Sequence, residues 1–451
     1  MTCVRRLAGS VNRSRRHPDT KGNGEAEVAQ APRRLSPQVS VRDAFGAAVR
    51  DLRERRGLSQ ADLGSLVFVS KDQIGKVEKA MRWPTPELIA GLDRELGAAG
   101  LLQAFEPSLR SQRRVAQPPL RRMETTLERA ALDWLTTSTG EVRILGSGAE
   151  VDEEEVETVA QQLTRFRELD HEHGAGRTHQ LVSNYAAVDL EHLLARTPVD
   201  EATATTLYST AAGFWELVGY QSIDLGRDEY ARECYLRALE LTTAAGDRLY
   251  GGYLLSVSSA HLALHGGDVD QTIRMARTGI HGTADIAEPT VRSAFEAVLA
   301  RGEARRGDEK AATKALLSAE ANLASAEPDN APAWIGYFTP AYLADEMAHS
   351  FHDLGHQVLA QEQAGEALSQ IASGHVRRLA IDTALMASSL ARAGDPEQAC
   401  AVGRRAVDLA AQTSSARSRS RIDELRQDLV PFADLKSVVE FGDYARFALA
   451  D

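Results

Sequence analysis

Apolar residues recur along most of this chain at intervals of three and four positions, which is the spacing of one face of an α-helix. Several short helices are predicted between residues 41 and 110, and helix follows helix from about 153 to 449. Aromatic residues make up only 6% of the 451 residues, while Ala and Leu are abundant. Since this composition favours helices over sheets, the predicted fold class is all-α.

Three stretches interrupt the helical pattern. Residues 1–39 are rich in Arg, Gly, Ser and Pro and hold too few large apolar groups to fold, so we expect a disordered basic tail, either inert or acting as an arm on DNA. Pro118 and Pro119 stop any helix, and residues 138–152 contain three Gly. The expected organisation is a tail at 1–39, a helical domain at 40–110, a linker with one helix at 111–152, and a second helical domain at 153–451.

The first helical domain contains the sequence pattern of two short helices joined by a tight turn. The segment Ser59–Asp62 has the spacing of a capping box, which starts a helix. Ser70 is then expected to cap the next helix, from Lys71 to about Lys79, with Ile74 and Val77 as its buried face.

The stretch GLSQADLGSLVFVSKDQIGKVEKAMRWPTPELIAGLDRELG resembles the lambda-repressor-like (XRE) helix-turn-helix family. The resemblance implies that the second helix of the motif lies in the major groove of double-stranded DNA. There Gln73 could read adenine, while Lys71 or Lys76 could bind guanine or phosphate, and Asp72 could accept from cytosine. The predicted DNA-binding residues are Gln60, Ser70, Lys71, Asp72, Gln73, Lys76, Lys79 and Arg53.

Phe68 departs from this resemblance, because the family usually has glycine at that point of the turn. A bulky residue with positive φ is costly, so the turn is expected to differ in geometry. The alternative function for this surface is a helical module that contacts protein instead of DNA.

The charge differs between the two parts of the chain. The net charge is −12, with +9 on residues 1–125 and −21 on the remainder. A basic head is typical of a module that binds a polyanion, and an acidic body is typical of one that does not. Solvated helix faces would produce the same balance, so charge alone does not decide.

Five turns in the second helical domain align on Gly226, Gly267, Gly307, Gly355 and Gly394. Small residues recur seven positions before each glycine and five and twelve positions after it. Seven positions before the glycines lie Gly219, Ala260, Ala300, Ala348 and Ala387. Five positions after them lie Ala231, Thr272, Ala312, Ala360 and Ala399, and twelve positions after them lie Ala238, Gly279, Ala319, Ala367 and Ala406. Small residues on both sides of a turn indicate close helix crossings, so each unit is predicted to be a helix pair that stacks on the next.

The first of these units resembles the tetratricopeptide repeat, with Trp215, Gly219, Ala231, Tyr235 and Ala238 at the signature positions. The predicted architecture is therefore a helix-turn-helix domain followed by an α-solenoid of tetratricopeptide-like helix pairs. This combination, and above all FWELVGYQSIDLGRDEYARECYLRALELTTAAGDR, resembles a group of actinobacterial XRE-type regulators.

The resemblance to the repeat implies a concave groove lined by the first helix of each pair. The candidate effector residues in this groove are Glu216, Tyr220, His261, Arg301, Asp345, His349 and His352. Such a groove could bind a polar small molecule or a peptide, could mediate dimerisation, or could hold only water.

Other kinds of site lack a pattern in this sequence. Its three cysteines are far apart and make no zinc or disulfide spacing, and no nucleotide loop or nucleophile elbow is present. We expect no metal, no cofactor and no enzymatic activity, and a cytoplasmic protein without a membrane span.

Two functions remain. The first is a homodimeric, sequence-specific transcriptional regulator on a pseudo-palindromic operator, with a repeat domain that binds an effector or dimerises. The second is a scaffold or antitoxin-like protein whose groove holds a partner, with DNA binding secondary.

Overall fold

The computed structural model describes residues 35, 37, 40–114, 125–137, 140–327, 330–413 and 415–449, without the side chains of 111–114. The predicted basic tail at 1–39 lies outside the described residues except for Leu35 and Pro37. The described part is helical almost throughout. Its one sheet is a pair of two-residue parallel strands, β1 (Glu150–Val151) and β2 (Thr197–Pro198).

The N-terminal domain is a cluster of six short helices. They are α1 (Val41–Arg55), α2 (Gln60–Leu66), α3 (Lys71–Glu78), α4 (Pro86–Leu96), α5 (Leu101–Ala104) and α6 (Glu106–Arg114). Phe45 of α1 lies at the centre of the core, with its ring edge-on to Phe105 at a centroid distance of 5.7 Å. Gly57 ends the turn after α1 with φ of 66°, a left-handed conformation that glycine adopts without steric cost.

The segment between the two domains is partly helical. Helix α6 continues to Arg114, inside the stretch that the proline pair predicts as linker. A further helix, α7 (Leu127–Thr136), packs on the repeats, where the Arg248 guanidinium lies 4.5 Å from the centre of the Trp134 ring. The linker helix is thus part of the packed structure.

The repeat region begins with a leading pair and continues with five helix pairs. The leading pair is α8 (Glu153–His173) and α9 (Ala175–Asn184), which continues through a π-helical turn (Tyr185–Leu190) into α10 (Glu191–Leu194). The five pairs are α11 (Glu201–Asp224) with α12 (Asp228–Ala244); α13 (Arg248–Tyr253), a π-helical turn (Leu254–Ser259) and α14 (Ala260–His265) with α15 (Val269–Gly282); α16 (Pro289–Arg306) with α17 (Glu309–Ala324); α18 (Pro340–Asp353) with α19 (Gln357–Gln370); and α20 (Val376–Arg392) with α21 (Pro396–Ala411). Two last helices, α22 (Ala416–Asp428) and α23 (Lys436–Ala448), cover the final pair.

The five aligned glycines lie at the turns between paired helices, as predicted. Each has a positive φ, from 70° at Gly226 to 90° at Gly394. The small residues at the three offsets are buried in the helix crossings. At Gly279 a Cβ would lie 2.5 Å from the Gly252 carbonyl oxygen, so a side chain there would push α15 away from its neighbour. The predicted all-α fold with a region of stacked helix pairs is confirmed.

Among the residues that the structure describes, no helix combines the length and apolar character needed to cross a bilayer.

Candidate nucleic-acid interface and repeat cavity

Local hydrogen bonds position α2 and α3. The Ser59 hydroxyl accepts from the Asp62 amide at 3.1 Å, and the Asp62 carboxylate accepts from the Ser59 amide at 2.9 Å, which completes the predicted capping box. The Ser70 hydroxyl accepts from the Gln73 amide at 3.1 Å and starts α3. Ile74 and Val77 of α3 are fully buried, so the opposite side of this helix must face outward.

The outward side of α3 carries the residues predicted to meet base edges. Lys71, Asp72 and Lys76 are exposed, and Gln73 is half-buried. Lys76 Nζ lies 2.7 Å from the Asp72 carboxylate, one helical turn away. Because this pair is exposed to water it is worth little, and either side chain can leave it for a better partner.

A buried carboxylate holds α1, α2 and α3 together. Glu78, with no exposed surface, accepts from Arg53 Nε at 2.5 Å and from Gln60 Nε2 at 2.7 Å. The hydrogen bond to Glu78 raises the Arg53 pKa further, although burial opposes this. The structure therefore corrects the prediction for Arg53, since its guanidinium is buried against Glu78 instead of lying on the outer surface of the domain. The Gln60 side chain is likewise engaged within the domain.

The turn between α2 and α3 contains a bulky residue, Phe68, in the left-handed backbone conformation. Phe68 has φ of 57°, so the expected departure from the glycine geometry does not occur. Its ring is 92% exposed and gains little from packing. The strain of a non-glycine residue in this region is of order 1 kcal/mol.

The N-terminal domain docks on the leading helix pair of the repeats. Arg177 of α9 forms an ion pair with Asp51 of α1, with Nη2 at 2.7 Å from the carboxylate. A ring nitrogen of His173 lies 3.1 Å from the Ala98 carbonyl oxygen, and Arg165 donates to the next carbonyl. These contacts involve α1 and the turn after α4, and the outward side of α3 stays exposed.

A cavity of about 1020 Å³ lies in the repeat region and reaches Arg55 of α1. Six of the seven predicted effector residues line it, namely Glu216, Tyr220, His261, Arg301, Asp345 and His349. His352 does not line it. Its Nδ1 lies 2.9 Å from the Ser389 hydroxyl, and burial lowers its pKa to about 4. One turn beyond His349, this histidine faces α20 and belongs to the helix crossing.

An ion-pair cluster joins the first and last repeats across the cavity. The buried Asp224 carboxylate accepts from Ser415 at 2.5 Å and from Arg377 and Arg417, each at 3.1 Å. Both guanidinium groups also lie over the Tyr220 ring, at 4.9 and 4.5 Å from its centre. Burial alone would raise the Tyr220 pKa, but the two arginines outweigh it and lower the pKa.

Two carboxyl groups face each other deeper in the cavity. Asp345 of α18 and Asp382 of α20 are both buried, and neither Asp382 oxygen has a hydrogen-bond donor among the described residues. Arg378 lies beside the pair, with Nε 3.7 Å from Asp382 and Nη2 4.0 Å from Asp345. Burial, and then the charge of Asp345, raises the Asp382 pKa well above its ordinary value.

The neighbouring acid on α18 behaves differently. Glu346 lies 3.2 Å from Arg301 Nη1 and 3.4 Å from His261 Nε2. Burial opposes its ionisation, but Arg301 and His261 outweigh burial and hold the Glu346 pKa at about 2. The cavity thus contains a carboxylate with close basic partners, Glu346, next to two carboxyl groups, Asp345 and Asp382, whose basic partners are more distant.

Sequence reasoning missed the part of the cavity contributed by α20, α22 and the loop before α18. These residues are Arg377, Arg378, Asp382, Arg417, Arg421, Trp334 and Tyr337. The four-residue spacing of Arg378 and Asp382, which puts both on one face of α20, was a usable signal. The loop with Trp334 and Tyr337 gave no such signal, because it is an insertion between helix pairs and the repeat pattern covers only the pairs themselves.

Residues 44–105 match the family model described as a helix-turn-helix domain, so this part of the chain is such a domain. This agrees with the expectation of a non-enzymatic regulator. No curated protein matches the chain. Among solved structures, Bacillus thuringiensis PlcR in complex with the peptide PapR7 and DNA is similar at 11% identity, covering 90% of this chain and 99% of that chain. The TM-score is 0.21, so the two chains do not superpose closely.

Proposed function

We propose that the chain is a sequence-specific DNA-binding transcriptional regulator whose repeat cavity binds an effector. The observation that carries the proposal is the outward side of α3. Lys71, Asp72 and Lys76 are exposed there, while the contacts to the repeats involve other surfaces of the domain. Within the described part of the chain, the outward side of α3 is therefore open to a duplex.

Each contact has its own expected chemistry. In the major groove, Gln73 would donate to and accept from adenine, and Lys71 or Lys76 would donate to guanine. Lys76 would first leave Asp72, which frees that carboxylate to accept from the cytosine amino group. The Lys79 side chain and the backbone amides at the start of α2 and α3, beside Gln60 and Ser70, would contact phosphate.

A second copy of the chain would complete the operator contact. Two recognition helices on half-sites about 34–36 Å apart would match a pseudo-palindromic sequence, as in other helix-turn-helix regulators. The proposal is therefore a homodimer on DNA, of XRE type.

The cavity supports an effector role because it reaches the N-terminal domain. Arg55, His173 and Arg177 line it at the point where α1 meets α9, and Arg177 also holds Asp51 of α1. A ligand that moves α9 would thus shift α1 and the domain that carries α3. A scaffold that holds a protein partner is less well supported, since Arg377 and Arg417 join the two ends of the solenoid across the space such a partner would need.

The proposal is tested with the double variant Gln73→Ala, Lys76→Ala of the full chain. An operator is first selected from genomic fragments, and its affinity is compared with that of a scrambled duplex by fluorescence anisotropy at physiological salt. The loss of base contacts worth about 1–3 kcal/mol each predicts a drop in discrimination of at least about tenfold.

Arg94→Ala is the matched control, because Arg94 is an exposed cation of α4, outside the α2–α3 motif. It should keep the discrimination of the parent chain. If the double variant discriminates as well as the parent, the DNA-binding assignment is wrong.

A further inference from the structure

The carboxyl pair of Asp345 and Asp382 lies buried in the cavity with few hydrogen-bond donors among the described residues. Asp382 is 1% exposed, yet both of its oxygens lack a hydrogen-bond donor among the described residues, and Asp345 Oδ1 has only His349 Nε2 at 3.4 Å. Buried carboxylates are stable only when they are paired or hydrogen-bonded. The pair therefore needs a positively charged or proton-donating occupant.

Counting the neighbouring charges indicates the charge of that occupant. Three acids, Asp345, Glu346 and Asp382, face two arginines, Arg301 and Arg378. A third arginine nearby, Arg421, is paired with Glu424 at 2.5 Å. Since an ordinary histidine is neutral at about pH 8, one negative charge stays without a partner. One monovalent cation, or one proton, balances it.

The wall beside the pair is aromatic. Tyr342 lies one turn before Asp345 on α18, and its ring is 4.8 Å from that of Tyr337. Trp334 lies 4.9 Å from Tyr253, and all four rings line the cavity. Trp334 and Tyr342 are half-buried, and Tyr337 is 37% exposed, so part of each ring is uncovered, although the Arg378 guanidinium covers one face of Tyr342 at 4.4 Å from the ring centre. Aromatic faces attract cations and pack against flat apolar groups.

We infer that the cavity binds an organic cation, a protonated amine held between Asp345 and Asp382 whose carbon skeleton packs against Tyr342 and Trp334. This inference names the chemical class of the effector and therefore rests on the proposed function. The amine donates two or three hydrogen bonds to oxygens that now have none. The cavity volume of about 1020 Å³ leaves room for a ligand of drug-like size.

A divalent metal is the competing occupant, since Asp345, His349 and Asp382 place ligand atoms within 4.8 Å of one another. Two observations argue against it. Arg421 Nη2 donates to His349 Nδ1 at 3.2 Å, so the ring proton is on Nε2, 3.4 Å from Asp345, and that nitrogen has no lone pair for a metal. A second positive charge would also exceed the single negative charge available.

Amine binding should release a proton. Without ligand, a proton shared by the two carboxyl groups balances the charge, as the raised Asp382 pKa indicates. The charged and titratable groups that face the pair are Glu346, His349, Arg378 and Arg301. The ammonium replaces the proton one for one, so affinity should rise with pH until the pair is fully ionised.

The experiment measures binding of phenethylamine to the full chain by titration calorimetry at about pH 8, in buffers of different ionisation enthalpy. Hydrocinnamate has the same ring with a carboxylate in place of the amine, and zinc chloride and manganese chloride test the metal. We expect phenethylamine to bind with a net release of protons, because the ammonium takes the place of any proton that the carboxyl pair holds. Asp382→Asn should weaken binding about tenfold or more, because a hydrogen bond to a charged group is lost.

Asp443→Asn is the matched control, since Asp443 is a 65% exposed carboxylate outside the cavity. It should bind phenethylamine like the parent chain. Asp345→Asn gives a second test if Asp382→Asn fails to fold, which circular dichroism reports. The inference is overturned if hydrocinnamate binds equally well, if only the metal binds, or if nothing binds.

The DNA assay distinguishes this failure from failure of the proposed function. Normal operator binding by a chain that does not bind the amine would overturn the cation inference alone. Amine binding by a chain that does not discriminate operators would overturn the regulator instead.

Discussion

Helix α3, the proposed recognition helix, and the cavity helix α18 both carry acidic and basic side chains, but in opposite environments. On α3, Lys71 and Asp72 are solvated, and the one buried acid, Glu78, is fully paired by Arg53 and Gln60. On α18 the polar residues face inward, and Asp345 is buried without sufficient donors. A paired buried charge maintains a fold, whereas an unpaired one weakens it and points to a missing ligand.

The largest effect is expected where a buried pair is broken. Glu78→Gln keeps the shape of the side chain but removes the buried counter-ion of Arg53, which among the described acids retains only the exposed Glu54 at 3.2 Å. We expect the free energy of unfolding of the N-terminal domain to fall by about 3 kcal/mol. Chemical denaturation, with hydrogen exchange of the α1–α3 backbone amides as the readout, measures this loss.

Asp382→Asn makes a matched removal of charge in the cavity. The Asp382 carboxyl accepts no hydrogen bond from the described residues that the substitution would remove. The free energy of unfolding of the variant should therefore stay within about 1 kcal/mol of the parent value or rise above it. A loss as large as that of Glu78→Gln would remove the distinction between the two regions.

A smaller loss of stability is expected from acid, and mainly in the repeats. Burial lowers the pKa of His352 and of His179 to about 4, below the value of about 6.5 in the unfolded chain. The unfolded state therefore binds protons first, so stability is complete above about pH 6.5 and falls as the pH drops toward 4. Each histidine should cost about 2 kcal/mol between pH 7 and pH 5.

His352→Gln tests this in denaturation experiments at both pH values. The variant should lose about 2 kcal/mol less than the parent on acidification. His356→Gln is the control, because its ring is 42% exposed. The N-terminal domain has no histidine between residues 40 and 114, so its hydrogen exchange should respond less. If acid changed hydrogen exchange equally in the N-terminal domain and in the repeats, the buried histidines would not be the cause of the acid sensitivity.

The smallest effect concerns the turn before α3. Phe68→Gly removes a side chain that is 92% exposed from a position with φ of 57°, so it relieves strain without loss of packing. We expect the free energy of unfolding to rise by about 1 kcal/mol. Phe68→Ala, which keeps the strained backbone, should show no such gain. A melting temperature equal for the two variants would mean that the turn is not strained.

Much of the fold follows from short-range pattern. The Ser59 and Ser70 caps, the inward Ile74 and Val77, and the glycine turns of the repeats depend on neighbours within a few residues, so they could be predicted. The same spacing predicts Arg53 at DNA and His352 in the cavity, but both side chains are buried elsewhere. A residue one helical turn from a correct position faces a different neighbour, and spacing alone does not say which.

The sequence by itself determined the helices, their caps, the stacking of the pairs and the outward polar side of α3, because these depend on propensity, periodicity and residue size. Only the tertiary structure decided which charges are paired. Asp382 and Asp345 are 37 positions apart, and Asp224 meets Arg377 across 153 positions. Electrostatic interactions in a buried site depend on distances that superhelical stacking sets, and no local pattern encodes those distances.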